Sequence, residues 1–175
     1  MDEKKINDRV IRLIKGDITD FEVEAFVYYA RPDLKLGTGW GGAISVRGGP
    51  SIQKELDEIG SCEIGKAVVT AAGEMKAGHI IHAVGPSFQE EEEERKLRDT
   101  LRSTLALADE KGFAQVAYPP MGTGFYGISL DNAARVMFDE FKRHLQGETK
   151  LKEVIICVND NRELKPFRAH LEALA

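Results

Sequence analysis

The stretch "LGTGWGGAI", residues 36–44, carries Gly37-x-Gly39-x-x-Gly42, the letters of a dinucleotide-binding glycine turn. The same spacing returns in "MGTGFYGIS", residues 121–129, at Gly122, Gly124 and Gly127. A dinucleotide fold uses one such turn, directly after its first strand and answered about 20 residues later by an acid on the ribose. Here the strand candidate before the first loop ends near Tyr29, and Pro32 forces an extended segment between strand and glycines. The acids at the expected distance, Asp57 and Glu58, fall inside a helical pattern. Neither loop runs on into the Gly-Lys-Ser/Thr that reaches a nucleotide's outer phosphates.

Each loop nonetheless follows a strand candidate and precedes a helical pattern, so each presents backbone N–H groups at the carboxyl edge of a sheet, where open α/β sheets bind ligands. Two such loops can flank one diphosphate, and glycine lets the backbone approach the phosphate oxygens. The plainer alternative is a pair of tight turns without a ligand.

Strand candidates lie at Val10 to Ile14, Val23 to Tyr29, Ala67 to Thr70, His79 to Val84, Gln115 to Tyr118 and Val154 to Val158. Helical periodicity appears at Ile52, Leu56 and Ile59; at Leu97, Leu101, Leu105 and Ala108; at Ala134, Phe138, Phe141 and Leu145; and at Leu164, Phe167, Leu171 and Leu174. This alternation predicts a three-layer α/β/α sandwich around a mixed, mostly parallel sheet, with residues 1–175 as one domain. The glutamate run in "QEEEEERK", residues 89–96, reads as the solvated start of a helix.

A net charge of −5 argues against broad nucleic-acid binding, which needs a basic face. No apolar run is long enough to span a bilayer, and the charged opening "MDEKKINDR" lacks the core of a secretory signal, which suggests a cytoplasmic protein. Cys62 and Cys157 lack metal-ligand spacing and read as packed, reduced residues. His79 and His82, three apart on one strand, face opposite sides and form no metal pair, and His82 reads as a core residue. No cofactor or metal is expected.

Five segments in order carry a family resemblance: "KGDIT" at 15–19, "VEAFVYYARPDLKLGTGWGGAI" at 23–44, "CEIGKAVVT" at 62–70, "IIHAVGP" at 80–86 and "VAYPPMGTGFYG" at 116–127. Together they make the chain resemble a macrodomain over nearly its whole length. The resemblance implies an ADP-ribose cleft in which Asp17 accepts from the adenine amino group and Ile18 offers its backbone N–H to the ring. It implies that Gly37, Thr38, Gly39 and Trp40, with Gly122, Thr123, Gly124, Phe125 and Tyr126, cradle the diphosphate and distal ribose. Read from the residues alone, Asp17 is a turn or helix cap after the first strand, and simple core packing is the alternative for Phe125.

The departures bear on catalysis. Where many macrodomains carry Asn-Ala-Ala-Asn, this chain reads Tyr28-Tyr29-Ala30-Arg31. The aspartate of common hydrolytic members is matched by Gly41, the following-glycine valine by Trp40, and the frequent adenine-stacking aromatic by Asn159. Arg31 is a permanent cation suited to phosphate or ribose oxygens, and no general base near neutral pH. Trp40 reads either as a flat surface at the cleft mouth or as a buried structural tryptophan. Tyr28 and Tyr29 point to opposite strand faces, so at most one is expected on the ligand side. Asp33 and Lys35 are conceivable water-orienting or nucleophilic groups, with a solvated turn as the alternative. The expectation is therefore a reader-like binding module, with hydrolysis of ADP-ribosyl or O-acetyl-ADP-ribose esters as the alternative and single-stranded nucleic-acid binding as a third.

Overall fold

The computed structural model describes residues 2–175. Seven strands form one mixed sheet: β1 (Glu3–Ile6), β2 (Arg9–Lys15), β3 (Ala25–Tyr29), β4 (Lys66–Ala71), β5 (His79–Val84), β6 (Gln115–Tyr118) and β7 (Glu153–Val158), in the order β1-β2-β7-β6-β3-β5-β4. The outer pairs β1–β2 and β4–β5 are antiparallel, and all inner pairs are parallel. Inner strands such as "AFVYY" and "EVIICV" are buried along nearly their whole length, because helices cover both faces.

On one face, α1 (Trp40–Gly48) and α2 (Ser51–Ile59) press Ile44, Ile52 and Leu56 against Phe26, Ile80 and Val84. On the other, α3 (Glu93–Lys111), α4 (Leu130–Gln146) and α5 (Asn161–Ala173) pack Leu101, Phe138, Phe141 and Phe167 against Val27, Ile81, Val116 and Ile156. The chain is thus the α/β/α sandwich its periodicity predicts. Capping follows the sequence: the Ser129 and Asp160 side chains accept from Asn132 N and Glu163 N at the starts of α4 and α5.

Two elements lie outside the expectation. β1 is an edge strand whose "EKKI" reads as a charged tail, yet lysines are a normal guard on an exposed sheet edge. It joins β2 through Asn7 and Asp8, with Asn7 at φ 58°. α1 is concealed by Gly41, Gly42 and Gly48, poor helix formers individually. The glutamate run opens a helix only in part: Glu93 and Glu94 form the first turn of α3, while Glu90 to Glu92 precede it.

Among the described residues no helix is long and apolar enough to cross a membrane.

Candidate functional site

Four adjacent parallel strands, β2, β7, β6 and β3, send their carboxyl-terminal loops to one edge of the sheet. β3 and β6 pair only at Ala25↔Val116 and Phe26↔Ala117. Beyond that point Pro119 and Pro120 follow β6, and prolines have no N–H to continue a ladder. The two strands part there, and a cleft of about 410 Å³ opens between their ends.

Both glycine loops reach this cleft. Thr38, Gly39 and Trp40 line it from β3, and Gly122 to Tyr126 from β6; Ile18 joins from β2 and Asn159 from β7. Gly39 (φ 62°) caps α1, and Gly124 (φ 64°) opens a 3-10 turn over Gly124–Tyr126. A Cβ at either would meet no atom within 4 Å, so positive φ, not crowding, selects glycine there. The first N–H groups of α1 have no intrahelical acceptor and are directed toward anions at the helix start.

Two expected residues stand just outside the lining. Asp17 sits between lining residues Gly16 and Ile18 and caps the 3-10 turn Ile18–Asp20, its Oδ1 accepting from Thr19 N (2.9 Å) and Thr19 Oγ1 (2.6 Å). Its Oδ2 accepts from Arg47 Nη2 at 3.1 Å. Gly37 flanks Thr38, and a Cβ there would lie 3.6 Å from Arg31 Nη1. Arg31 lines the cleft beside loop one while its Nη2 donates to Asp33 Oδ2 at 2.7 Å.

The exposures decide two open readings. Trp40 is 47% exposed and stands at the cleft mouth, so it is no buried structural tryptophan. Phe125 is 96% exposed, which rules out core packing, while Tyr126 is half-buried and packs edge-on to Tyr29 at 4.7 Å. Asp33 Oδ1 accepts from Lys35 N, and Lys35 Nζ reaches away to Asp57 at 2.9 Å, so this pair is a surface turn outside the cleft lining.

The expectation that only one of Tyr28 and Tyr29 meets the ligand side is corrected: both line the cleft. They do belong to opposite faces of β3, but the cavity lies over the split end of the sheet and takes side chains from either face. Tyr28 stands edge-on to His82, and burial pushes its phenol up to about 12. Tyr29 donates to Pro86 O, and burial raises its phenol well above the ordinary value. His82 is a fully buried core residue, its Nε2 bonded to Thr70 Oγ1 at 2.9 Å, and burial pushes it down to about 3.

Gly41 is the most constrained residue of the site. A Cβ there would overlap the Leu36 carbonyl oxygen and approach the Tyr28 hydroxyl to 2.7 Å. Position 41 is therefore closed to a side chain by backbone.

Several lining residues had no role in the sequence reading: Val27, Pro119, Pro120, Cys157 and Glu163. The Pro-Pro pair was the available signal, as a break at the end of a strand pattern. Glu163 reaches back to Asn159 N at 2.6 Å, and burial pushes the Cys157 thiol up to about 11. A second hollow of about 370 Å³ on α5, lined by Leu164, Lys165 and Arg168 among others, gathers no loops.

A family model described as Macro domain matches residues 30–137, more than half of the chain. The chain belongs to the macrodomain family. A macro domain-containing protein of Caldanaerobacter subterraneus subsp. tengcongensis is 38% identical over 170 residues, covering 94% of this chain and 97% of that protein. O-acetyl-ADP-ribose deacetylase 1 of Pantoea vagans is 36% identical over 154 residues, covering 84% of this macrodomain and 90% of the relative. A macrodomain of Oceanobacillus iheyensis, a mutant form solved with ADP-ribose, superposes with a TM-score of 0.93 at 26% identity, covering 98% of this chain and 97% of that one.

Proposed function

We propose that residues 1–175 form one macrodomain that binds ADP-ribose, or a closely related adenine diphosphate ribose, as a reader without efficient hydrolysis. The supporting observation for binding is the meeting of two glycine loops from neighbouring parallel strands over one cleft. In this reading the diphosphate lies between Gly39 and Gly124, the base lies toward Asp17, Ile18 and Asn159, and the distal ribose lies by Arg31 and Tyr126. The reader-like reading over hydrolysis is supported by the seat of Gly41, which leaves no room for a water-orienting side chain, and by Arg31, which takes no proton.

The test is isothermal titration with ADP-ribose, with AMP and NAD as controls and Asp17→Ala alongside. Micromolar binding, tighter than AMP and weaker in the variant, is expected; no heat at millimolar ligand overturns the reading.

The likeness to an O-acetyl-ADP-ribose deacetylase supports a second reading, ester hydrolysis by water held on the ligand's own diphosphate. Release of ADP-ribose from a defined ester above the enzyme-free rate would support it, and a flat time course would dispose of it.

A further inference from the structure

Between β3 and loop one, residues 30–36 form neither helix nor strand. Leu34 N donates to Arg31 O at 2.9 Å, closing a turn that has Pro32 at its second position. Leu34 itself is buried in the core with φ 57°, a left-handed backbone that a residue with a Cβ rarely takes. Such a conformation persists only where its surroundings hold it. Beyond the packing of the leucine side chain, the hold comes from Gln53 on α2. Gln53 Nε2 donates to Leu34 O at 3.1 Å, and Gln53 Oε1 accepts from Leu36 N at 3.0 Å. The other Nε2 hydrogen goes to Asp57 Oδ1 at 2.9 Å, one turn along the same helix, which keeps the amide turned toward the loop.

Leu36 links this clamp to the cleft. It lines the cavity, and its carbonyl is the group against which Gly41 rests. With its N–H fixed by Gln53 and its C=O pressed to α1, Leu36 sets the point from which Gly37, Thr38 and Gly39 lead into the helix. Only a side-chain amide serves both backbone groups at once, because it donates and accepts side by side; a carboxylate accepts only, and a thioether does neither well.

We propose that Gln53 is a positioning residue: it does not line the cleft, but by clamping Leu34 and Leu36 it holds loop one in the arrangement that receives a ligand's diphosphate. A loop ordered before binding spares the ligand the cost of ordering it, and a loop only partly in that arrangement weakens binding in proportion. The consequence for affinity rests on the reading of loop one as a diphosphate cradle, whereas the hold on the loop is a property of the ligand-free protein.

The chain has one tryptophan, Trp40, at the end of loop one, so its emission reports the loop without any ligand. The experiment is acrylamide quenching of Trp40 and titration with ADP-ribose, on the whole chain and on Gln53→Met and Gln53→Glu. Lys54→Met, on the exposed side of α2, is the control for a methionine in that helix. In Gln53→Met the quenching constant is expected to rise by about half or more and ADP-ribose to weaken about tenfold, as two backbone groups lose their partner. Gln53→Glu, which keeps the bond to Leu36 N, is expected to shift both readouts the same way by less, and it carries the test should the methionine variant fail to fold. Lys54→Met stays at the wild-type values. Wild-type quenching in both Gln53 variants overturns the proposal even where the unfolding midpoint falls, because a contact that merely stabilises gives that result. A changed Trp40 with ADP-ribose affinity within about twofold of the wild type also overturns it. If the wild-type protein binds no ADP-ribose while Trp40 responds in the variants, the ligand reading of the cleft falls and the hold of Gln53 on loop one stands.

Discussion

The two glycine loops share their lettering and their backbone, yet they rest on different supports. Gly37 and Gly39 have φ of 64° and 62°, and Gly122 and Gly124 of 76° and 64°. Loop one continues straight into α1, and Gly41 seats that helix on the Leu36 carbonyl and the Tyr28 hydroxyl, with His82 beneath Tyr28. Loop two turns through a short 3-10 segment, and Gly122 rests against Ile128 and the Tyr29 hydroxyl. Adjacent residues of β3 thus carry one loop each. The difference teaches that a repeated motif fixes the local chain path, while the packing beneath decides what each copy can become. Loop one has no space for a side chain at Gly41, whereas loop two leaves Phe125 and the open side of Gly124 to solvent.

The sharpest way to break this contrast is Gly41→Asp, which looks like restoration of a hydrolase. It is expected to destabilise the fold by about 3 kcal/mol or more without producing ester hydrolysis, because backbone must move to admit the side chain. Denaturant unfolding and the ADP-ribose release assay check both halves, and an active, stable variant would refute the account of loop one.

Gly124→Glu is the counterpart on loop two. Its Cβ meets open space, so the melting temperature should fall by only about 3 °C from positive-φ strain. ADP-ribose affinity should fall about a hundredfold as a carboxylate enters the diphosphate position. Titration beside a melting curve separates the two effects; a large loss of stability would mean that loop two is as crowded as loop one.

The supports differ in acid as well. Folded His82 stays neutral down to about 3, while the unfolded side chain takes a proton below its ordinary value of 6.5. The unfolded state therefore holds more protons across that window, and stability falls as pH drops through it, by about 2 kcal/mol from pH 7 to pH 5. Urea unfolding at the two pH values should show this loss in the wild type and a flatter dependence in His82→Gln. Equal slopes would detach the Tyr28–His82 support from the acid response.

The smallest expected effect lies at the base end, where Asp17→Ala should weaken ADP-ribose about tenfold, one charge-assisted hydrogen bond's worth. A change below about twofold would place the base elsewhere.

Much of this was legible in the residues because its causes are local. Alternation and apolar runs marked six of the seven strands, and the glycine spacing marked both loops. β1 was hidden because Lys4 and Lys5 guard an edge, and α1 because Gly41 and Gly42 suppress the helical signal that their close seating requires. The parting of β3 from β6 depends on pairing between distant segments, of which only Pro119 and Pro120 leave a trace. The Arg47–Asp17 bond joins residues 30 apart, a separation with no pattern to betray it.

The length of α1 has a consequence for which molecules fit. Its first turn follows Gly39, which the proposed reading sets beside the diphosphate, and its last turn holds Arg47 against Asp17. From Trp40 to Arg47 a helix advances about 10 Å at 1.5 Å per residue. In the proposed reading a rigid rod of that length makes the site a gauge: it fixes the separation between phosphate and base, and a nucleotide with an added or missing phosphate is expected to satisfy one end only by releasing the other.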